Sequence, residues 1–106
     1  MQPPPAVIDG ARVLEYAIVD PSVRYTGRLH IYHGDTRVGP VPRLAIGQNP
    51  DMKELLLLHC DEHWNVLGAQ IWNAPGQVTV TSVDEVKARA ENYYAGISAK
   101  WRPLAL

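Results

Sequence analysis

Two apolar runs, Leu55–Leu58 and Trp64–Trp72, flank the five polar residues His59-Cys60-Asp61-Glu62-His63, and this pattern limits the possible folds of the chain more than any other feature. Four consecutive leucines, followed after a short polar stretch by a second, mostly apolar run (WNVLGAQIW), have the character of strands covered on both faces. The pair therefore reads as two central antiparallel strands joined by a hairpin whose tip lies within His59–His63. A two-residue and a four-residue loop fit equally well, so the cross-strand register stays open.

The neighbouring segments supply further strands. Arg12 to Asp20 (RVLEYAIVD) is rich in strand formers and ends at the turn signal Asp20-Pro21-Ser22. Arg28 to His33 alternates, with Leu29 and Ile31 on one face and Arg28, His30 and Tyr32 on the other, as in a half-exposed strand. His33-Gly34-Asp35-Thr36 suits a tight hairpin. Arg37 to Ile46 is extended, but Pro40 and Pro42 cannot donate to a ladder, which predicts an irregular or edge strand. Gly47-Gln48-Asn49-Pro50-Asp51 is a loop, Ala74-Pro75-Gly76 breaks the chain again, and Gln77 to Thr81 predicts one more short strand. Ser82-Val83-Asp84-Glu85 fits a capping box that opens a helix, with both acids at the positive end of its dipole. Val83, Val86, Ala90, Tyr93 or Tyr94 and Ile97 follow helical spacing, and Gly96 is the expected C-cap. Trp101 is expected to pin the segment that follows.

The chain thus reads as α+β: an antiparallel sheet of about five strands with one C-terminal amphipathic helix packed on one face. Residues 1–11, with Pro3-Pro4-Pro5, read as a flexible Pro-rich tail, and residues 12–106 as a single domain. A length of 106 residues is enough for one core. One helix about 10 Å across leaves part of a several-stranded sheet uncovered, to be filled by the 34-to-54 region, a second copy or a foreign protein.

Ten basic and eleven acidic side chains, a formal charge of −1 and no long basic run argue against nucleic acid as a partner. No run of eighteen apolar residues exists, and the first residues lack the pattern of a secretion signal, so no membrane partner is expected and the default location is cytoplasmic. A single cysteine, Cys60, agrees with a reducing compartment.

Several short motifs occur together: Pro42-Arg43-Leu44-Ala45, His59-Cys60-Asp61-Glu62 with Trp64-Asn65-Val66-Leu67-Gly68, the helix residues Ser82, Val83, Glu85, Lys87, Arg89, Ala90 and Glu91, then Tyr94, Gly96-Ile97-Ser98 and Trp101. Across roughly the last two thirds of the chain this set resembles a family of small, largely uncharacterised bacterial α+β proteins. The resemblance implies a central strand pair ending in an acidic, Trp-containing turn, a helix after it, and no enzymatic activity. In size and style such proteins are similar to immunity proteins, which bind and block a toxin. Two departures stand out: His63 occupies a position where an acidic residue is expected, and Ala74-Pro75-Gly76 lengthens the connection to the helix.

His59, Cys60 and His63 are zinc-ligand types in a compact spacing, but adjacent strand residues face opposite ways, and neither a CxxC nor an HExxH pattern is present. For the same reason Cys60 lacks a base beside it in sequence; His63 could reach it only across the turn. Asp61 and Glu62 on a solvated turn have nothing to separate their pKa values as acid and base. A binding role fits more simply, with Asp61, Glu62, His63, Trp64, Trp72 and Arg43 as candidate partner contacts and Tyr32 and Arg37 as further anchors. The sequence reading is therefore a non-enzymatic, cytosolic protein-binding module without cofactor, immunity-like, with a protein partner or self-association. The alternative is a metal- or ligand-binding protein or enzyme using His59, Cys60 and His63.

Overall fold

The computed structural model describes residues 3–76 and 79–104. In chain order the strands are β1 (Val7–Ile8), β2 (Ala11–Ile18), β3 (Arg24–Tyr25), β4 (Tyr32–His33), β5 (Thr36–Arg37), β6 (Arg43–Gln48), β7 (Leu55–Cys60) and β8 (Val66–Ile71). They are followed by helix α1 (Val83–Glu91), β9 (Tyr94–Ala95), a 3-10 turn at Ile97–Ala99 and β10 (Arg102–Pro103). The main sheet runs β1-β2-β6-β7-β8, all antiparallel, and β10 joins the outer edge of β2 beyond the end of β1. Two further two-stranded pairs, β3 with β9 and β4 with β5, complete an α+β fold. No helix of the described residues is long and apolar enough to cross a membrane.

The leucine run forms β7 and lies inside the sheet, between β6 and β8. Alternation then sorts its side chains onto two faces. Leu55 and Leu57 join Leu44, Ile46, Val86, Ala90, Tyr94 and Ile97 in one core, while Leu56, Leu58 and Cys60 pack with Val13, Ala45 and Trp64 in a second core on the opposite face. A bulge at Leu14 shifts β2 against β6 between Val13 and Glu15. Glu15 thereby reaches Lys87 of α1 at 2.7 Å. The part of the first face that α1 leaves free is covered by the excursion between β2 and β6, whose Val23, Leu29, Val38 and Val41 are buried in the same core.

Several sequence expectations are corrected. Residues 1–11 are not all tail: Ile8 is buried, and β1 turns into β2 through Asp9 and Gly10, whose φ values of 47° and 83° are the left-handed backbone of a tight hairpin turn that suits the right-handed twist of the strands. The segment from Arg37 to Ile46 yields a central strand, not an edge, because β6 begins only after Pro42, whose carbonyl accepts from Val19 N–H at 2.9 Å. Leu29 and Ile31 do point inward from Arg28–His33, yet only Tyr32–His33 pairs, and with β5 instead of the main sheet. Gln77 and Val78 lie outside the described residues. In the rest of the expected 77–81 strand, Val80 bridges the chain by accepting from Leu55 N–H at 3.1 Å and donating to Trp72 O at 3.3 Å.

Ser82 caps α1 as expected, accepting from Glu85 N–H at 3.1 Å, but the Glu85 carboxylate lies 3.3 Å from Arg89 Nε instead of closing the box. The helix also stops early, at Glu91, and is not the last element. The Glu91 carboxylate accepts from Gly96 N–H at 2.7 Å and from Ser98 N–H at 3.0 Å, so it holds the start of the 3-10 turn, and Gly96 (φ 96°) supplies the left-handed residue there, not at the end of α1. The chain then returns through β10 to the sheet edge.

Candidate functional site

The polar hairpin tip is built around Asp61. Its carboxylate accepts from His63 N–H at 2.8 Å, Asn65 N–H at 2.9 Å and Asn65 Nδ2 at 3.0 Å, and the Asn65 bonds are the main reason its pKa lies below the usual carboxylate value. Asp61 is thus committed to shaping the turn. Glu62 and His63 stand outside it with side chains 65% and 76% exposed, 3.6 Å apart.

Trp64 does not join them. At φ 65° the chain reverses, and the ring folds back onto the sheet until the residue is only 7% exposed. It meets Tyr16 edge-on at 5.8 Å, and the Arg43 guanidinium lies 5.6 Å from its centre. Arg43 is half-buried by this contact. Trp72, also half-buried, packs on the first core under Arg89, 5.1 Å from the ring centre. Of the six side chains expected at a partner surface, the structure leaves Glu62 and His63 open, gives Asp61 to the turn, and places Trp64, Trp72 and Arg43 in or against the cores.

The trio His59, Cys60 and His63 is not brought together. His59 is fully buried on the helix face, its Nε2 2.9 Å from Gln70 Oε1, while Gln70 Nε2 donates to the Tyr93 hydroxyl at 3.2 Å. Burial lowers the His59 pKa to about 4, so the ring is neutral at pH 7 and donates from Nε2. Cys60 points into the other core, where burial first and the charge of Asp61 second push its thiol up to about 12. Burial therefore keeps the Cys60 thiol protonated at neutral pH, the opposite of an activated nucleophile. Among the described residues no group of three His, Cys, Asp or Glu side chains is placed to hold a metal ion.

A groove of about 350 Å3 opens between the β4–β5 region and β8, with Thr36, Val38, Pro40, Val41 and Leu67 in its walls. Its lining is mainly apolar, as ligand and side-chain pockets tend to be. Leu67 is 36% exposed because it is the extra residue of a β-bulge: His59 pairs with Gly68, but Cys60 pairs with Val66. Tyr32, on the β4–β5 hairpin, is 62% exposed. No strand of the described residues pairs with the outer edge of β8. Tyr32 was visible in the sequence as the outward member of an alternating segment. Leu67 was not, since nothing in WNVLG marks the bulge. No family model matches the chain, and neither the curated proteins nor the solved structures compared with it give a match.

Proposed function

We propose that this chain is a non-enzymatic, cytosolic protein-binding module, immunity-like in kind, whose partner contacts the end of the sheet formed by the hairpin tip and the groove beside Leu67. The observation that carries this reading is an apolar groove of about 350 Å3 with the exposed Leu67 in its wall, to which the exposed Tyr32 of the β4–β5 hairpin and the exposed charged pair Glu62 and His63 of the β7–β8 hairpin tip add further surface. An apolar centre with a polar rim is the usual anatomy of a specific protein interface. Asp61, Trp64 and Arg43 support the contact indirectly by holding the tip in place. The buried, unpaired Cys60 suits a reducing compartment.

The test is site-specific photo-crosslinking in the producing cell, with a photoreactive phenylalanine at position 67 and, as a control, at exposed position 53. A single discrete protein adduct from position 67 only, lost in the E62K/H63E variant while the melting temperature is unchanged, is the expected result. Identical adduct patterns from both positions would remove the groove from consideration.

A further inference from the structure

The main sheet ends on one side in β8, and among the described residues no strand takes up its outer edge. Past the Leu67 bulge this strand is regular. Gly68–Ile71 pairs residue for residue with Leu56–His59, so alternate residues turn their N–H and C=O outwards. Edges of this kind are ordinarily blunted by lysine, by proline or by very short strands. The opposite side of the sheet has such devices, since β1 and β10 are two residues long and β10 is Arg102-Pro103. In β8 the sequence VLGAQI carries neither charge nor proline, and its bulge lies at one end only. The neighbouring hairpin segment packs Ile31 and Val38 onto the helix face of Gly68, while β4 and β5 pair with each other instead of with β8. On the other face Ala69 is exposed and its neighbours Leu56 and Ile71 are half-buried, so the open edge borders apolar surface.

We propose that β8 pairs antiparallel, along this edge, with β8 of a second copy of the chain. A two-fold axis perpendicular to the sheet at Ala69 sets Ala69 opposite the same residue of the second copy and Gly68 opposite its Gln70. Paired positions then differ by an even number, which keeps like faces of the two sheets together. Charge favours a second copy in this direction. Each Glu62–His63 tip points towards the end of the other strand at which Arg89 lies over Trp72, and the two tips stand at opposite ends of the junction. Parallel pairing would bring the tips side by side. A contact of one short strand per copy falls below the roughly 1,200 Å2 of a standard stable interface, so the dimer dissociates on dilution. The junction does not depend on the partner reading of the Leu67 groove: it is made by the edge of Gly68–Ile71, whereas the groove is walled by the Leu67 side chain and the segment from Thr36 to Val41.

Sedimentation velocity over a dilution series from millimolar to micromolar, on the native chain and on A69K, A69E and V7K, tests the junction. The native chain and V7K, which is altered at an exposed position of the opposite edge, are expected to pass from dimer to monomer at the same concentration. A69K and A69E each place like charges on side chains whose Cβ atoms are about 5 Å apart across the axis, so each dimerises about tenfold more weakly, and their equimolar mixture recovers the native affinity. A native chain that is monomeric throughout overturns the proposal. Dimers that A69K and A69E leave unchanged, or a mixture no tighter than the separate variants, place the self-association elsewhere and overturn it as well. Because Ala69 is exposed, the variants keep the melting temperature of the dilute native chain, and recovery in the mixture shows in the same experiment that both are folded.

Discussion

Lowering the pH tests the buried His59 directly, because the upper part of its window lies above that of the carboxylates and a variant lacking the imidazole corrects for the rest. In the unfolded chain a histidine takes up its proton near pH 6.5, whereas His59 in the fold resists protonation until about pH 4, since charging it means placing an imidazolium in an apolar core. Between these values the unfolded state binds more protons than the native state, so stability falls as pH falls. The contribution is fully present above pH 6.5. At pH 4.5 the two values imply a loss of about 2.5 kcal/mol, equivalent to roughly 10 °C in melting temperature for a chain of this size. The carboxylates work lower down: Asp20, Asp61 and Glu91 all have lowered pKa values, and Asp20 lies at about 2, so the stability they add is present above the range in which free carboxylates titrate and is lost as pH falls from that range through their lowered values. Urea denaturation at half-unit steps from pH 7.5 to 4.5, run in parallel on the native chain and an H59L variant, isolates the effect. The leucine variant starts from a lower baseline, because Gln70 Oε1 loses its donor, but it lacks the slope of up to about 1.4 kcal/mol per pH unit that the native chain shows. Parallel curves for the two proteins would refute the assignment of His59 as a buried neutral imidazole.

Three further substitutions probe the rest of the architecture. Tyr94 is fully buried and its hydroxyl accepts from Val41 N–H at 3.0 Å, so Y94F leaves a buried amide without a partner and destabilises the chain by about 2 kcal/mol in urea titration at unchanged m-value. Trp64 behaves as a core residue: W64A costs roughly 3–5 kcal/mol, whereas E62K/H63E at the same hairpin stays within about 0.5 kcal/mol, and equal effects would show that the indole does not anchor the second core. Cys60 is inert in the native state, so its reaction with an aromatic disulfide reagent at pH 8 proceeds at the rate of unfolding and accelerates with added urea. Rapid stoichiometric labelling without denaturant would contradict the burial of the thiol.

The parts of this fold that could be read from sequence are those whose cause is local. Four leucines in a row, bounded closely by the Gly47–Asp51 loop and the polar hairpin tip, mark the buried strand β7, and the Ser82 hydroxyl caps α1 because a helix start needs an acceptor within three residues. Where a distant group supplies the missing partner, sequence reading went astray. Glu91 lies in a helical pattern that continues to Ile97, but its carboxylate is taken by amides of the 3-10 turn, and the helix ends there. Three prolines suggested a tail as far as residue 11, while Asp9-Gly10 between apolar neighbours is itself a strong hairpin signal, and it prevailed. The candidate site depends on causes more distant still. Whether Leu67 faces solvent or core is decided by one extra residue in the β7–β8 ladder, since a shift of one position exchanges the faces of a strand. Trp64, by contrast, has the composition of an interface anchor. Its burial follows from a left-handed backbone at the end of the Asp61 turn, which aims the indole at Tyr16 and Arg43 across three strands. Aromatic and arginine residues mark interfaces and cores alike, so it is the turn, not the residue type, that decides between them.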